Sequence, residues 1–341
     1  MRKIDLSTVK DCGTIWNCGE FVVASGKSLW VFRKDGSFVS KSTTIRYPEK
    51  VHFLPPDKIF VEGGTDYQYH YVNLLTAEDI WTTPVDRKGG LFNRRFAVSP
   101  DNLYLYDTYL NYPKDKRYVL RFSLADLSVT KAEVPNGLRV TTGIYTDEEG
   151  VLYALQTHQL TDDGKISQNG ILRIDWRTEK TIFSWEKMWQ SERNRKKKWM
   201  CTDGRYILCE DYSVIDMTTM QSFNLLENEL EWIPEGKCSA ECEYLPDRGF
   251  LLVYSGLDDG NVVIDCKARK RIAQYAPTEI GVRAGFAGYL IGDEYWIGTE
   301  NGIVKKPFPI FEAMPEKVSP YWRFAREMER IRGEELNNKL K

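Results

Sequence analysis

The sequence predicts an all-β fold, a seven-bladed β-propeller with a C-terminal α-helix, on three observations. A short pattern, an Asp-based turn followed by an aromatic and aliphatic run, recurs through most of the 341 residues. A second pattern alternates with it: an apolar run, an Asp or Asn, and an apolar residue seven positions later. The 19 Tyr, 15 Phe and 10 Trp concentrate in short runs with Val and Ile, the composition that strands favour.

The first pattern reads "HFLPPDKIFVE" (52–62), "AVSPDNLYLYD" (97–107), "YTDEEGVLYAL" (145–155), "WMCTDGRYILCE" (199–210) and "EYLPDRGFLLVY" (243–254). Its turn markers are Asn17, Asp57, Asp101, Asp147, Asp203, Asp247 and Asp293, at intervals of 40, 44, 46, 56, 44 and 46. A period of this size belongs to propellers or helical arrays, and strands on both sides of each marker select the propeller. Asp and Asn suit the turn because the side-chain oxygen accepts from nearby backbone N–H groups.

The second pattern pairs Asn73 with Ile80, Asp175 with Ile182, Asp216 with Phe223 and Asp265 with Ile272, with Ser123 in the Asp position of a looser copy. Each reads as strand, polar hairpin, strand. The two patterns give four strands, a to d, per unit of about 46 residues, which cannot bury both of its faces alone and so stacks radially around a channel. Seven markers predict seven blades, with six or eight as the neighbouring alternatives. The last unit, from 283 to 306, has three clear strands; "RKIDLST" near the N-terminus or "KPFPIF" (306–311) would supply the fourth. The propeller is assigned residues 1–318. Residues 319–341 open with Ser319 and Pro320 as a helix start, place Phe324, Met328 and Ile331 on one stripe, and are assigned to an amphipathic helix that packs on the propeller or docks a partner.

Over residues 1–310 the pattern resembles the WD40-like and quinoprotein-like (YVTN-type) β-propeller superfamily. "VSPDNLYL" is similar to the a-to-b turn of such propellers, and "YWIGTENGIVK" to a repeat of sensor propellers in two-component systems. "IDWRTEKTIFSWE" and "NLLTAEDIWTT" resemble the repeat of pyrroloquinoline-quinone propellers, in which a d-strand Trp docks neighbouring blades; the resemblance assigns that role to Trp185 and Trp81. There is no Trp-Asp dipeptide and no Gly-His pair, so the likeness stops at the superfamily and implies architecture, not activity.

Composition narrows the function classes. A net charge of −2 provides no global attraction to nucleic acid or anionic membrane. No apolar run approaches the ~18 residues that span a bilayer, and the N-terminus lacks the apolar core of a secretory signal, so a cytoplasmic chain is expected. The seven cysteines include no CxxC pair and read as reduced thiols used as small hydrophobes. No cofactor and no metal are expected, and oligomeric state is left open.

Long connections all fall between strands b and c or between d and the next a, which emerge on one face: 63–68, 108–117, 157–170 and 187–198. Binding is expected on that face. Two groups of residues stand out there. Trp189, Arg193, Arg195, Lys197 and Trp199 interleave cations with aromatics in "RNRKKKW" and its surroundings, a pattern suited to docking a partner. Nucleic acid is the less favoured occupant, because Glu186 and Glu192 flank a single cluster. Arg46, Arg95, Arg139, Lys198 and Arg283, with Arg94, stand at or just before innermost strands and would rim the channel mouth as an anion site; the bland alternative is ordinary surface cations.

Catalytic patterns are sparse. His52, His70 and His158 fall in different blades, in an a strand, a c strand and at a loop start, with no nucleophile or carboxylate paired to them by spacing. "LTDDG" (160–164) and "LDDG" (257–260) read as turns rather than Ca²⁺ ligands. The reading that follows is a non-catalytic protein- or peptide-binding scaffold. The alternative is a small-ligand or hydrolytic, lactonase- or lyase-like propeller acting on an anionic sugar or lactone at the channel mouth.

Overall fold

The computed structural model describes residues 6–310 except 67, 84–89, 93–95, 112–115, 141–143, 147–148, 164–165, 177–181, 188–198, 203–205, 210–212, 217–221, 226–240, 246–247, 255–260, 276–287 and 300. Within them the chain is a succession of antiparallel sheets, each built from strands consecutive in sequence and, in all but the third and fourth, paired as a simple meander. The first comprises β1 (Ile15–Cys18), β2 (Phe21–Ala24), β3 (Leu29–Arg33) and β4 (Phe38–Ser42). The second comprises β5 (Lys50–Leu54), β6 (Lys58–Glu62), β7 (Tyr69–Asn73) and β8 (Asp79–Thr82). The third holds β9 (Gly90–Phe92), β10 (Ala97–Val98), β11 (Tyr104–Asn111), β12 (Lys116–Ser123) and β13 (Val129–Glu133). The fourth holds β14 (Leu138–Val140), β15 (Ile144–Thr146), β16 (Leu152–Leu160), β17 (Ile166–Asp175) and β18 (Ile182–Lys187). The fifth is β19 (Trp199–Thr202), β20 (Tyr206–Cys209), β21 (Ser213–Asp216) and β22 (Ser222–Asn224). The sixth is β23 (Glu241–Leu245), β24 (Phe250–Tyr254), β25 (Asn261–Asp265) and β26 (Lys270–Tyr275), and the seventh β27 (Gly288–Ile291), β28 (Glu294–Thr299) and β29 (Gly302–Pro307).

The expected hairpin chemistry is present. Asn73 Oδ1 accepts from the Leu75 N–H at 2.8 Å, Asp101 Oδ1 from the Leu103 N–H at 2.9 Å, and Asp265 Oδ1 from the N–H groups of Lys267 and Ala268 at 2.9 and 2.8 Å. Each bond satisfies a donor that the reversing chain would otherwise leave exposed. Asp175 and Ile182 face each other across β17 and β18, as the seven-residue spacing requires. Asn17 departs from the pattern: it lies inside β1, and the turn is made by Gly19 (φ 63°) and Glu20.

Where the side chains are described, neighbouring sheets stack face to face, and alternation along a strand divides its side chains between two interfaces. On β6, Ile59 and Val61 pack toward the first sheet with Trp16, Val23 and Val31. Phe60, between them in sequence, packs the other way with Phe96, Leu105 and Phe122 of the third sheet. Because both faces are buried, the strand reads as an unbroken apolar run. Tyr106 and Val119 meet Leu152, Leu172 and Trp176 between the third and fourth sheets, and Tyr275 stacks on Tyr295 at 4.4 Å between the sixth and seventh. Trp81 does dock sheets, lying 6.4 Å from the Phe122 ring across the interface. In the fourth sheet Trp176 also docks on its neighbour, 6.1 Å from Tyr106 and under the Arg121 guanidinium, while the side chain of Trp185 lies outside what is described.

The seventh sheet packs against the first. Ile291, Trp296 and Ile303 share a buried cluster with Ile15, Val22 and Phe32, and the Cys12 N–H donates to the Thr299 carbonyl at 3.0 Å. The N-terminal segment reaches that junction as a 3₁₀ turn, Leu6–Thr8, where a strand over "RKIDLST" was expected; residues 1–5 lie outside the described residues. The turn lies against β29, so closely that a Cβ on Gly302 (φ 134°) would sit 2.5 Å from Ser7 Cα. The rival segment leaves the seventh sheet instead. After β29, Phe308 donates to the Asp293 carbonyl at 3.1 Å and the Ile310 carbonyl accepts from the Gln274 N–H of β26 at 3.0 Å. The helix expected over 319–341 lies outside the described residues. Among the described residues no helix is long and apolar enough to cross a membrane.

Candidate functional site

The face expected to carry long loops is built largely of strands in the third and fourth sheets. β11 runs to Asn111 and β12 starts at Lys116, so 108–117 is mostly hairpin; β16 and β17 do the same for 157–170, and His158 lies within β16 rather than at a loop start. The connection from each preceding sheet adds a second piece of innermost strand beside these extensions. β9 pairs Phe92 with Tyr109 and Gly90 with Asn111, while β10 pairs lower down on β11. β14 pairs Leu138 with Gln159 and Val140 with Thr157, while β15 pairs lower on β16. The first-strand position of the third and of the fourth sheet is therefore occupied by two pieces, and the upper one, three residues and about 10 Å long, stands as a wall beside the extended hairpin.

The first and second sheets form a lower corner. The connection from β4 to β5 carries exposed Arg46 and Tyr47, the latter 40% exposed and held at φ 47°. Its N–H donates to the Gly26 carbonyl at 2.7 Å, and the Gly64 N–H donates to the Arg46 carbonyl at 3.3 Å. A Cβ on Gly64 would lie 2.0 Å from the Tyr47 carbonyl oxygen, so only glycine lets the two loops touch. Gly64→Ala is expected to cost about 1–3 kcal/mol by overpacking, read as a lower urea midpoint with unchanged slope.

Between the second and third sheets, beneath the wall, lies a buried polar seam. Asp107 is fully buried and accepts from the Tyr69 hydroxyl and, at 2.7 Å, from the Thr108 N–H. Glu62 is buried beside them, and Lys50, directly opposite it in register, donates to the Phe96 carbonyl at 2.5 Å with its ammonium 4.6 Å from the Phe96 ring. On the other face of the second sheet, His70 is held between two carboxylates: Nδ1 is 3.0 Å from Asp79 Oδ2 and Nε2 is 3.0 Å from Asp66 Oδ2. Burial pushes its pKa down, but the hydrogen bond and charge of Asp79, with those of Asp66, push it up by more, so the net shift is upward from 6.5. His52 shifts the other way, lowered chiefly by burial although Asn102 Oδ1 is 3.0 Å from Nε2.

The Asp66, His70 and Asp79 arrangement was not legible from spacing. A register shift between Tyr71 and Val72 pairs Val72 with Asp79 and extrudes Ile80, which is 47% exposed. An unbulged hairpin would have put Ile80 opposite Val72 and turned Asp79 to the other face.

Of the predicted channel-mouth cations, Arg46 lies in the lower corner and Arg139 on β14 of the wall, both exposed and in different sheets. Arg95, Lys198 and Arg283 lie outside the described residues, as do Trp189, Arg193, Arg195 and Lys197; Trp199 begins β19. Among the described residues no group of three or more His, Cys, Asp or Glu is placed to hold a metal ion.

No protein-family model and no curated protein sequence matches the chain. Solved structures do resemble it. Dihydro-heme d1 dehydrogenase NirN in complex with DHE matches 89% of this chain and 66% of its own at 12% identity, with a TM-score of 0.53. The extracellular domain of a protein described as a one-component system of B. thetaiotaomicron matches 88% of this chain and 38% of its own at 12% identity, TM-score 0.51. The β-propeller domain of Myceliophteria thermophila Swd1 matches 77% of this chain and 89% of its own at 12% identity, TM-score 0.45. The chain thus spans less than two thirds of each of the first two. The likeness to the NirN structure, with a TM-score above 0.5 at 12% identity, is one of fold, an all-β propeller architecture.

Proposed function

We propose that this chain is a closed seven-bladed propeller acting as a non-catalytic scaffold that binds a protein or peptide on the face carrying the wall and the Arg46–Tyr47 corner. The single observation behind this reading is the pair of broken innermost strands, β9/β10 and β14/β15. A repeat fold needs no such asymmetry for stability, and rigid strands that rise on one side of a channel mouth present side chains more reproducibly than loops do. Arg46, Tyr47 and Arg139 are of the residue types that dominate binding hot spots. The segment from Trp189 to Trp199, with Arg193, Arg195 and Lys197, belongs to the same proposal, because it joins the last strand of the fourth sheet to the first of the fifth, as the segment holding Arg46 joins the first sheet to the second. A cytoplasmic setting belongs to the same proposal.

Affinity capture from native cell lysate tests the proposal. Wild type is compared with Arg46→Ala/Tyr47→Ala/Arg139→Ala, with Trp189→Ala/Arg193→Ala/Arg195→Ala/Lys197→Ala, and with Leu75→Ser/Leu103→Ser, which alters exposed hairpin residues away from that face. The expected result is a stoichiometric protein partner depleted at least roughly tenfold by one of the first two variants and retained by the third. A partner lost only in the third variant, or a wild type that captures none while anionic lactones bind it, would sink the reading and favour the small-ligand alternative.

A further inference from the structure

We propose that Asp66, His70 and Asp79 form a protonation-dependent latch that holds the 63–68 turn of the second sheet, and through it the Arg46–Tyr47 corner. The inference does not depend on that face binding a partner. The His70 side chain is 4% exposed, and each ring nitrogen lies 3.0 Å from a carboxylate oxygen. A doubly protonated imidazole donates to both carboxylates. A neutral one has a single N–H, so one carboxylate then faces a lone pair in a buried setting and is repelled.

The groups around the ring leave few other roles. Asp66 reaches it from the turn and Asp79 from β8, and Thr82 Oγ1 lies 3.4 Å from Nδ1. Across β6 the paired residue is Val61, which carries no charge. Among the described residues the charged groups acting on the ring are Asp79 and Asp66, both acidic.

The latch is wired to the turn by short steps. Asp66 Oδ1 accepts from the Gln68 N–H at 3.1 Å, and the Gln68 carbonyl accepts from the Gly63 N–H at 2.9 Å. A Cβ on Gly63 would stand 2.3 Å from Asp66 Oδ1 and 3.0 Å from His70 Nε2, so glycine makes room for the seated carboxylate. The next residue, Gly64, donates to Arg46 and abuts the Tyr47 carbonyl. Because the folded-state pKa of His70 lies above 6.5, the latch is complete below that pH and is lost as pH rises through the raised value.

The test uses the full chain with its three histidines isotope-labelled. Imidazole NMR follows their titration. Hydrogen exchange of residues 63–69, corrected for its intrinsic pH dependence, is measured at about pH 6 and about pH 9. His70 is expected to titrate above 6.5 and His52 below it, and protection of 63–69 to fall roughly tenfold or more at the higher pH. In His70→Gln the protection should be equal at both values. Asp66→Asn, altered at a partly exposed site, gives the same comparison if the first variant does not fold. Titration of His70 at or below 6.5, constant protection in wild type, or a fall that persists in the variant overturns the latch.

Discussion

Removing residues 1–10 is expected to lower the melting temperature by roughly 10 °C. Val9 is fully buried and Leu6 packs on the cluster joining the first and seventh sheets. Burying the Val9 side chain stabilises by about 1.5–3 kcal/mol and half-burying Leu6 adds a part of that, and in a chain somewhat smaller than this one each kcal/mol moves the midpoint by about 2–4 °C. The turn at Leu6–Thr8 also covers the start of β29, whose approach is tight enough to demand Gly302. Calorimetry on the truncated and full chains decides the matter. An unchanged midpoint would show that the first and seventh sheets hold together through Cys12, Ile15 and Trp296 without the segment before them.

Phe60→Ala is expected to destabilise by about 3–5 kcal/mol, the range for emptying a large buried aromatic site. The ring is fully buried and meets Tyr69 at 5.4 Å, Phe96 at 5.6 Å, Phe122 at 6.3 Å and Trp81 at 6.5 Å. Those partners come from both sheets of the interface, so the cavity cannot close by moving one side chain. Val129→Ala on the exposed β13 is the control, expected within about 0.5 kcal/mol of wild type. Urea unfolding of both reads the difference directly. A loss below 1 kcal/mol for Phe60→Ala would mean that the second and third sheets do not pack on this aromatic cluster.

Much of the architecture was legible because it is written locally. The turn oxygen of Asp101 or Asp265 bonds to an N–H two or three residues away, so the same chemistry leaves the same spacing wherever it is used. Trp81 was assigned to sheet docking by the resemblance to pyrroloquinoline-quinone propellers, and it makes that contact. Trp176 carries the equivalent contact to Tyr106 from the end of β17, a position the hairpin spacing does not mark.

The candidate site was legible only in outline. That long connections gather on one face follows from strand order, but 108–117 and 157–170 read as loops because their Lys, Asp, Asn, Pro and Gly residues disfavour strands. They extend as hairpins where β9 and β14 pair beside them, about 20 residues away in sequence, and local propensity does not record such pairing. The Asp66–His70–Asp79 latch depends on a single extra residue in β8, and one residue of register reverses which face a carboxylate meets. By itself, then, the sequence determined the all-β repeat, its hairpins and the face on which variation accumulates, since each rests on contacts within a few residues. Only the tertiary structure decided the wall, the meeting of the first and seventh sheets and the partners of His70, because those rest on pairing register and on neighbours far apart in the chain.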